Sequence, residues 1–178
     1  MMPLSPAQLW ARLRAHFWLS LAFDVTVLLL VFVAIHAWQT RDLPIGELAP
    51  AGVMPALDGS GLRQPVHLGG PGVVYFFAPW CGVCRSSIGN LDELVADGTL
   101  DWATAVALDY ADPAAVEAFV KDTDLAAPVL LGGADTIAGW GIGAFPTYFV
   151  IDASGNIASR SVGYSTRLGM EVRARLAR

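Results

Sequence analysis

The chain has 178 residues, 54% of them hydrophobic and 15% charged, which excludes a disordered polypeptide. Eleven basic against 16 acidic residues leave a net charge of −5 without a dense basic cluster, so nucleic acid is a poor partner. Two cysteines exclude both a disulfide-stapled miniature fold and an all-cysteine zinc site.

From Phe17 to Trp38 the chain reads FWLSLAFDVTVLLLVFVAIHAW, with Asp24 its one carboxylate. As a helix this run spans roughly 33 Å, enough for a hydrocarbon core of about 30 Å. A cleavable signal has a shorter apolar region, about 7–15 residues, and ends in small residues at the cleavage site. Ala34-Ile35-His36-Ala37-Trp38 makes a poor site of that kind. Nothing amphipathic shows in Val25–Ile35, as a soluble core helix would require. The expectation is therefore one uncleaved transmembrane helix over 17–38. Trp10, Trp18 and Trp38 stand where interface residues would. Arg12 and Arg14 precede the span, while Arg41 alone follows it, beside Asp42. The positive-inside bias then puts residues 1–16 in the cytoplasm and the rest of the chain in the periplasm, held to a bacterial inner membrane.

Residues 39–46 read as a tether, continuing into Ala49-Pro50. Residues 47–178 are enough for one core; they carry eight basic and 14 acidic residues, a net of −6. Val73–Ala78 (VVYFFA) predicts a strand covered on both faces. Ile88, Leu91, Leu94 and Val95 then recur at helical spacing, and Ala103–Leu108 predicts a second buried strand. Asp112-Pro113 caps a helix running to about Lys121 that presents Val116, Phe119 and Val120. A short helix lies around Asp135–Trp140. Thr147–Ile151 and Asn156–Ser161, joined at Asp152–Gly155, predict a β-hairpin. A closing helix from Thr166 is expected to turn Leu168, Val172 and Leu176 inward. This order implies an α/β domain with a mixed sheet.

The chemistry sits at Trp80-Cys81-Gly82-Val83-Cys84. A Cys-x-x-Cys pair after a buried strand and at a helix start places Cys81 where unpaired N–H groups favour a thiolate. Cys84, one turn on, is within reach to attack a mixed disulfide. The competing reading is metal binding. Zinc normally takes four protein ligands, yet there is no further cysteine and His67 is the only histidine of residues 47–178. Cu(I) held by the two thiolates stays open. Met54 and Met170 make no copper pattern, and His16, His36 and His67 stand isolated.

Phe76-Phe77-Ala78-Pro79-Trp80-Cys81-Gly82-Val83-Cys84 resembles the active-site segment of the thioredoxin superfamily. Trp140–Ile157, containing Ala144-Phe145-Pro146-Thr147, resembles the second landmark of its membrane-anchored TlpA/ResA/DsbE branch. Ala49-Pro50 with Leu57–Gly61 is similar to that branch's N-terminal hairpin. The single anchor and the hydrophobic residue before the second cysteine look most like ScsD-type protein disulfide oxidoreductases. The resemblance covers about residues 47–178 and implies a thioredoxin-like fold, a central mixed sheet flanked by helices. It also implies a Cys81–Cys84 redox disulfide, and Pro146 as a cis-proline facing it. Trp80, Phe145, Pro146 and Thr147 would shape the substrate groove. Neither a cofactor nor a metal is implied.

The departures concern the motif's neighbours. Thioredoxins carry a buried acid where this chain has Tyr75, and cytochrome-maturation members a glutamate where it has Ser87. Val83 and Gly89 occupy positions where prolines are usual, which puts a helix kink at 89 in doubt. The implied activity is disulfide exchange with protein thiol and disulfide substrates. The expected role is reductant or isomerase, recharged by a membrane thiol–disulfide reductase. A weak thiol oxidase and a Cu(I)-binding thiol module in metal tolerance are the alternatives.

Overall fold

The computed structural model describes residues 6–41, 43–66 and 69–177, with side chains from Phe17 onward. The readings that rest on Asp42, on His67 and on the side chains of Trp10, Arg12, Arg14 and His16 lie outside the described residues. The chain divides into two compact units, Met1–Arg41 and Asp42–Arg178.

The first unit is one helix, α1 (Pro6–Thr40), longer at both ends than the apolar run in the sequence. Its 24-residue stretch Phe17–Thr40, whose most apolar 18 consecutive residues have a mean hydropathy of 2.4, is long and apolar enough to cross a membrane. The hydroxyls of Thr26 and Thr40 donate to the carbonyls of Ala22 and His36 one turn back, so neither needs water.

The second unit opens with a small antiparallel hairpin, β1 (Val53–Pro55) and β2 (Arg63–Pro65), whose turn is held by Ser60 donating to the Asp58 carboxylate. The main chain then alternates. Strand β3 (Gly72–Phe77) leads to α2 (Gly82–Ser87) and α3 (Asn90–Ala96), and β4 (Trp102–Ala107) to α4 (Pro113–Thr123). Strand β5 (Val129–Leu131) leads to α5 (Ala134–Trp140), then to β6 (Thr147–Ile151), β7 (Ile157–Val162) and α6 (Arg167–Leu176). The five-stranded sheet has the order β5-β4-β3-β6-β7; β3, β4 and β5 run parallel, and β6 pairs antiparallel with both β3 and β7.

Strand alternation divides the buried residues into two cores, one on each face of the sheet. Val73, Tyr75 and Phe77 of β3 join Ala103, Ala105, Tyr148 and Val150 under the helices α2, α3, α4 and α6. Val74 and Phe76 join Val106, Phe149 and Ile151 against Trp140 of α5 and Met54 of the hairpin. Both faces of β3 are thus covered, which is why its sequence runs apolar without a break. Met54 and Met170 lie in different cores. Gly72 is required by close approach, since a side chain there would enter the Trp102 ring across the strand pair.

Two sequence expectations are corrected. The stripe Leu168, Val172 and Leu176 of α6 faces solvent, at 68%, 47% and 82% exposure, and Met170 and Ala174 are buried instead. Arg167 pairs with Glu93 of α3 and with Asp97, its C-cap, and so fixes the rotation of α6. Tilted that way, the helix presents the small Ala174 to the core. The second correction is at Gly89. The helix after Cys81 is interrupted at Ile88-Gly89 although no proline is there. The hydroxyls of Ser86 and Ser87 donate to the carbonyls of Gly82 and Val83, a competition with the backbone ladder that bends helices.

Candidate active site

Strand β3 ends at Phe77, and the sharp turn Ala78-Pro79-Trp80 delivers Cys81 to the start of α2. The Cys81 N–H donates to the Ala78 carbonyl at 3.0 Å, closing the turn. Cys81 is the N-cap of α2, with extended backbone (φ −80°, ψ 106°). Its Sγ accepts the backbone N–H of Cys84 at 3.1 Å. This bond is the capping bond that a serine or aspartate would otherwise provide. The two cysteines form a disulfide, with Cα atoms 5.3 Å apart. Cys81 is 6% exposed and Cys84 fully buried. Their accessibility differs.

Around the pair stand the other residues singled out in the sequence. Trp80 is 66% exposed and stands at the rim of the site. Its indole N–H donates to both the carbonyl (3.0 Å) and the carboxylate (3.1 Å) of Asp109. Its ring meets Phe145 edge-on, with centroids 5.9 Å apart. The Phe145–Pro146 peptide is cis. The carbonyl of Pro146 accepts the Gly163 N–H at 2.8 Å, and the Thr147 hydroxyl donates to Ala144 at 2.8 Å. The register Phe76↔Thr147 brings the start of β6 beside the end of β3. The sheet thereby gathers Trp80, Phe145 and the disulfide at one end. Val83, 45% exposed, adds to this apolar rim.

Sequence reasoning missed Asp109. It follows β4, whose C-terminal end lies parallel to that of β3, and in open α/β sheets this end is where functional loops converge. Its left-handed backbone (φ 49°), uncommon outside glycine, places its carbonyl and its carboxylate on the same indole N–H. Arg85 pairs with Asp122 at 3.1 Å and lies over the Phe119 ring, its side chain 43% exposed. Among the described residues no three of His, Cys, Asp and Glu gather as a metal-binding group.

Beneath the motif, Tyr75 and Ser87 share a hydrogen bond of 2.8 Å, both fully inside the core. Burial holds the Tyr75 phenol well above its ordinary value, against the opposing bond from Ser87 and with Tyr148 adding to the rise. At neutral pH it is a neutral donor. Tyr148 stacks on Tyr75, ring centroids 6.3 Å apart, and pairs through its hydroxyl with Ser165.

The sequence model of the AhpC/TSA family matches residues 45–160. The chain belongs to that family. Within it, the chain is 31% identical over 134 residues to the thiol-disulfide oxidoreductase ResA of Bacillus cereus, covering 74% of this chain and 77% of the relative. It is 26% identical over 157 residues to the thioredoxin-like protein YneN of Bacillus subtilis, covering 82% and 92%. A thiol:disulfide interchange protein of the thioredoxin family from Chlorobium tepidum superposes with a TM-score of 0.64 at 25% identity, over 74% of this chain and 95% of that one. This AhpC/TSA member is a thioredoxin-like protein of the ResA/DsbE/TlpA branch and a thiol–disulfide oxidoreductase, with Cys81–Cys84 as its CxxC pair.

Proposed function

We propose that the protein is a membrane-anchored, extracytoplasmic reductant or isomerase of protein disulfides, in which Cys81 attacks and Cys84 resolves. The observation that carries the division of labour is their unequal burial: Cys81 reaches the surface beside Trp80 and Phe145, and Cys84 does not. In the reduced enzyme the Cys81 thiolate attacks one sulfur of a substrate disulfide. A Cys81–substrate disulfide forms, and the other substrate sulfur leaves as a thiolate that takes up a proton. Cys84 then gives up its proton and attacks Cys81 Sγ. The second substrate thiolate is released, and two electrons have passed from the Cys81–Cys84 pair to the substrate. A membrane thiol–disulfide reductase restores the dithiol. Trp80, Phe145, Pro146 and Thr147 form the groove that lays the substrate strand against Cys81.

The anchor reading is supported by the predominantly apolar 24-residue stretch Phe17–Thr40, and the orientation by Arg12 and Arg14 ahead of it against Arg41 after. The single anchor and Val83 before Cys84 favour the ScsD-type pattern within the branch. Gly82-Val83 supplies no side-chain hydrogen bond to stabilise the reduced thiolate. The potential is therefore expected in the lower half of the range between DsbA and thioredoxin, about −120 to −270 mV.

Cys84→Ser tests the chemistry: it accumulates mixed disulfides with substrate proteins in intact cells, and Cys81→Ser does not. Equal trapping by both variants refutes the assignment. Pro146→Thr slows substrate release, and unchanged exchange kinetics would count against the groove. Rapid acid trapping of thiols decides the direction of electron flow, since a mostly oxidised pair at steady state overturns the reductant reading.

A further inference from the structure

A chain of hydrogen bonds runs from the core to the nucleophile through the peptide group that separates the cysteines. Tyr75 Oη and Ser87 Oγ lie 2.8 Å apart, and Ser87 Oγ donates to the Val83 carbonyl at 3.2 Å. With the serine proton committed to Val83, the hydrogen between the two hydroxyls belongs to Tyr75. The amide whose oxygen is Val83 O carries the Cys84 N–H, which donates to Cys81 Sγ at 3.1 Å. The order is therefore Tyr75 O–H, Ser87 O–H, the Val83–Cys84 peptide, Cys81 sulfur. All the donors point the same way. Each bond polarises the next, and the surroundings are dry: Tyr75 and Cys84 are fully buried, Ser87 and Cys81 nearly so.

We propose that Tyr75 and Ser87 are positioning residues that tune the Cys81 thiolate through the Val83–Cys84 amide. Donation into the Val83 carbonyl makes the Cys84 N–H a stronger donor, and that N–H is most rewarded when Cys81 carries a negative charge. The relay lowers the energy of the thiolate without placing any second charge in the core. The inference rests on Cys81 being the nucleophile.

The charged groups on the elements around the motif lie outside the relay. Arg85 of α2 is paired with Asp122 of α4, and Asp109 after β4 holds Trp80. Tyr148 of β6 faces Tyr75 and bonds Ser165. Substitutions at 75 and 87 leave all of them in place.

The test is the pH dependence of iodoacetamide alkylation of the reduced full-length protein in detergent, with the modified cysteine located by peptide mapping. Cooperative strengthening of about 10–30% in one charge-assisted bond corresponds to a Cys81 pKa rise of roughly 0.2–0.6 unit, a 1.5- to fourfold fall in the thiolate-to-thiol ratio at any given pH. Ser87→Ala shows that rise, and Ser87→Thr, which restores the hydroxyl, returns to the wild-type value. Ser87→Ala alone strands the buried Tyr75 hydroxyl and risks the fold. The double variant Tyr75→Phe/Ser87→Ala removes both partners with little change of shape and shows the same rise. A purely structural pair would move the melting temperature and leave the profile of Cys81 unchanged. A shift below about 0.1 unit in the double variant, with Cys81 still the site alkylated, overturns the relay. Alkylation of Cys84 first in the wild type overturns the nucleophile assignment beneath it.

Discussion

Phe119 ties the active-site helix to the sheet, and its removal has a calculable effect. The ring is fully buried, stacks on Phe77 at the end of β3 with centroids 4.7 Å apart, and lies under the Arg85 guanidinium at 4.9 Å. Truncating a buried phenylalanine to alanine costs about 3–5 kcal/mol, cavity included. The stacked pair places this site toward the middle of that range or above it, about 4 kcal/mol. The folded unit Asp42–Arg178 has about 137 residues. At about 2.1 cal/mol/K per residue, its unfolding entropy is roughly 0.29 kcal/mol/K. Phe119→Ala should therefore lower the melting temperature by about 14 °C. Phe119→Leu, which keeps most of the volume, should lower it by less than about 5 °C. The assay is calorimetry of the oxidised protein in detergent. Arg85→Met measured alone and together with Phe119→Leu should return a coupling of about 0.5 kcal/mol from the lost cation–π contact. A melting temperature that falls by less than about 5 °C in Phe119→Ala would show that α4 does not clamp the motif as described.

Three further outcomes follow from particular contacts. The Asp92 carboxylate accepts the backbone N–H groups of Ala126 and Ala127, both at 2.8 Å, so Asp92→Ala frees two donors before β5. It should cost about 1–3 kcal/mol by denaturant titration, and a loss near zero would show that water replaces the carboxylate. The Asp152 carboxyl is held below its ordinary 3.8 by the backbone N–H groups of Asn156 and Ser154, and that of Asp97 by Thr99 together with Arg167. A depressed folded value means stability that is complete above pH 3.8 and lost as pH falls through the lower folded values. The melting temperature should accordingly be insensitive to these groups at neutral pH and drop below about pH 4. Asp152→Asn should flatten that drop, and an unchanged acid limb in the variant would contradict the assignment. Finally, a reporter enzyme active only outside the cytoplasm, fused after Arg178, should be active; activity from a cytoplasmic reporter alone would reverse the topology.

Much of the fold is legible in the sequence because single residue types have single physical uses there. The run Val73–Ala78 reads as a strand covered on both faces, and it is one. The Asp112-Pro113 cap works as read, with the Asp112 carboxylate accepting the Ala115 N–H at 2.9 Å. What stayed illegible depends on partners distant along the chain. In α6, Leu168/Val172/Leu176 and Met170/Ala174 repeat at the same spacing, so periodicity alone cannot choose the inner face. Arg167 chooses it by reaching Glu93 and Asp97, 74 and 70 residues earlier in the chain. Strand β5 has only three residues, too few for an alternation to register, and exists by pairing with Ala105–Ala107. Asp109 likewise shows no motif of its own; only the parallel register of β3 and β4 puts it beside Trp80.

Tyr75 and Ser87, which stand where thioredoxins and cytochrome-maturation members carry acids, show how a site changes charge without losing its core. Tyr75 and Ser87 are 12 residues apart in sequence, yet their hydroxyls are direct partners. A carboxylate at either position would face the other side chain in a volume closed to water, where its charge has to be met by a donor or neutralised. Substituting one position alone would strand the residue at the other. With a phenol at one and a hydroxymethyl at the other, each polar atom is satisfied by its neighbour, and no charge is buried. Among the described residues no buried side-chain nitrogen or oxygen is left without a hydrogen bond. What the neutral pair gives up is a base beneath the motif to take the Cys84 proton. The resolving step must then deliver that proton elsewhere, to the departing substrate sulfur or to water at the rim. If the groove proposed at Trp80 and Phe145 receives the leaving thiolate, it is part of the proton path as well as the binding surface.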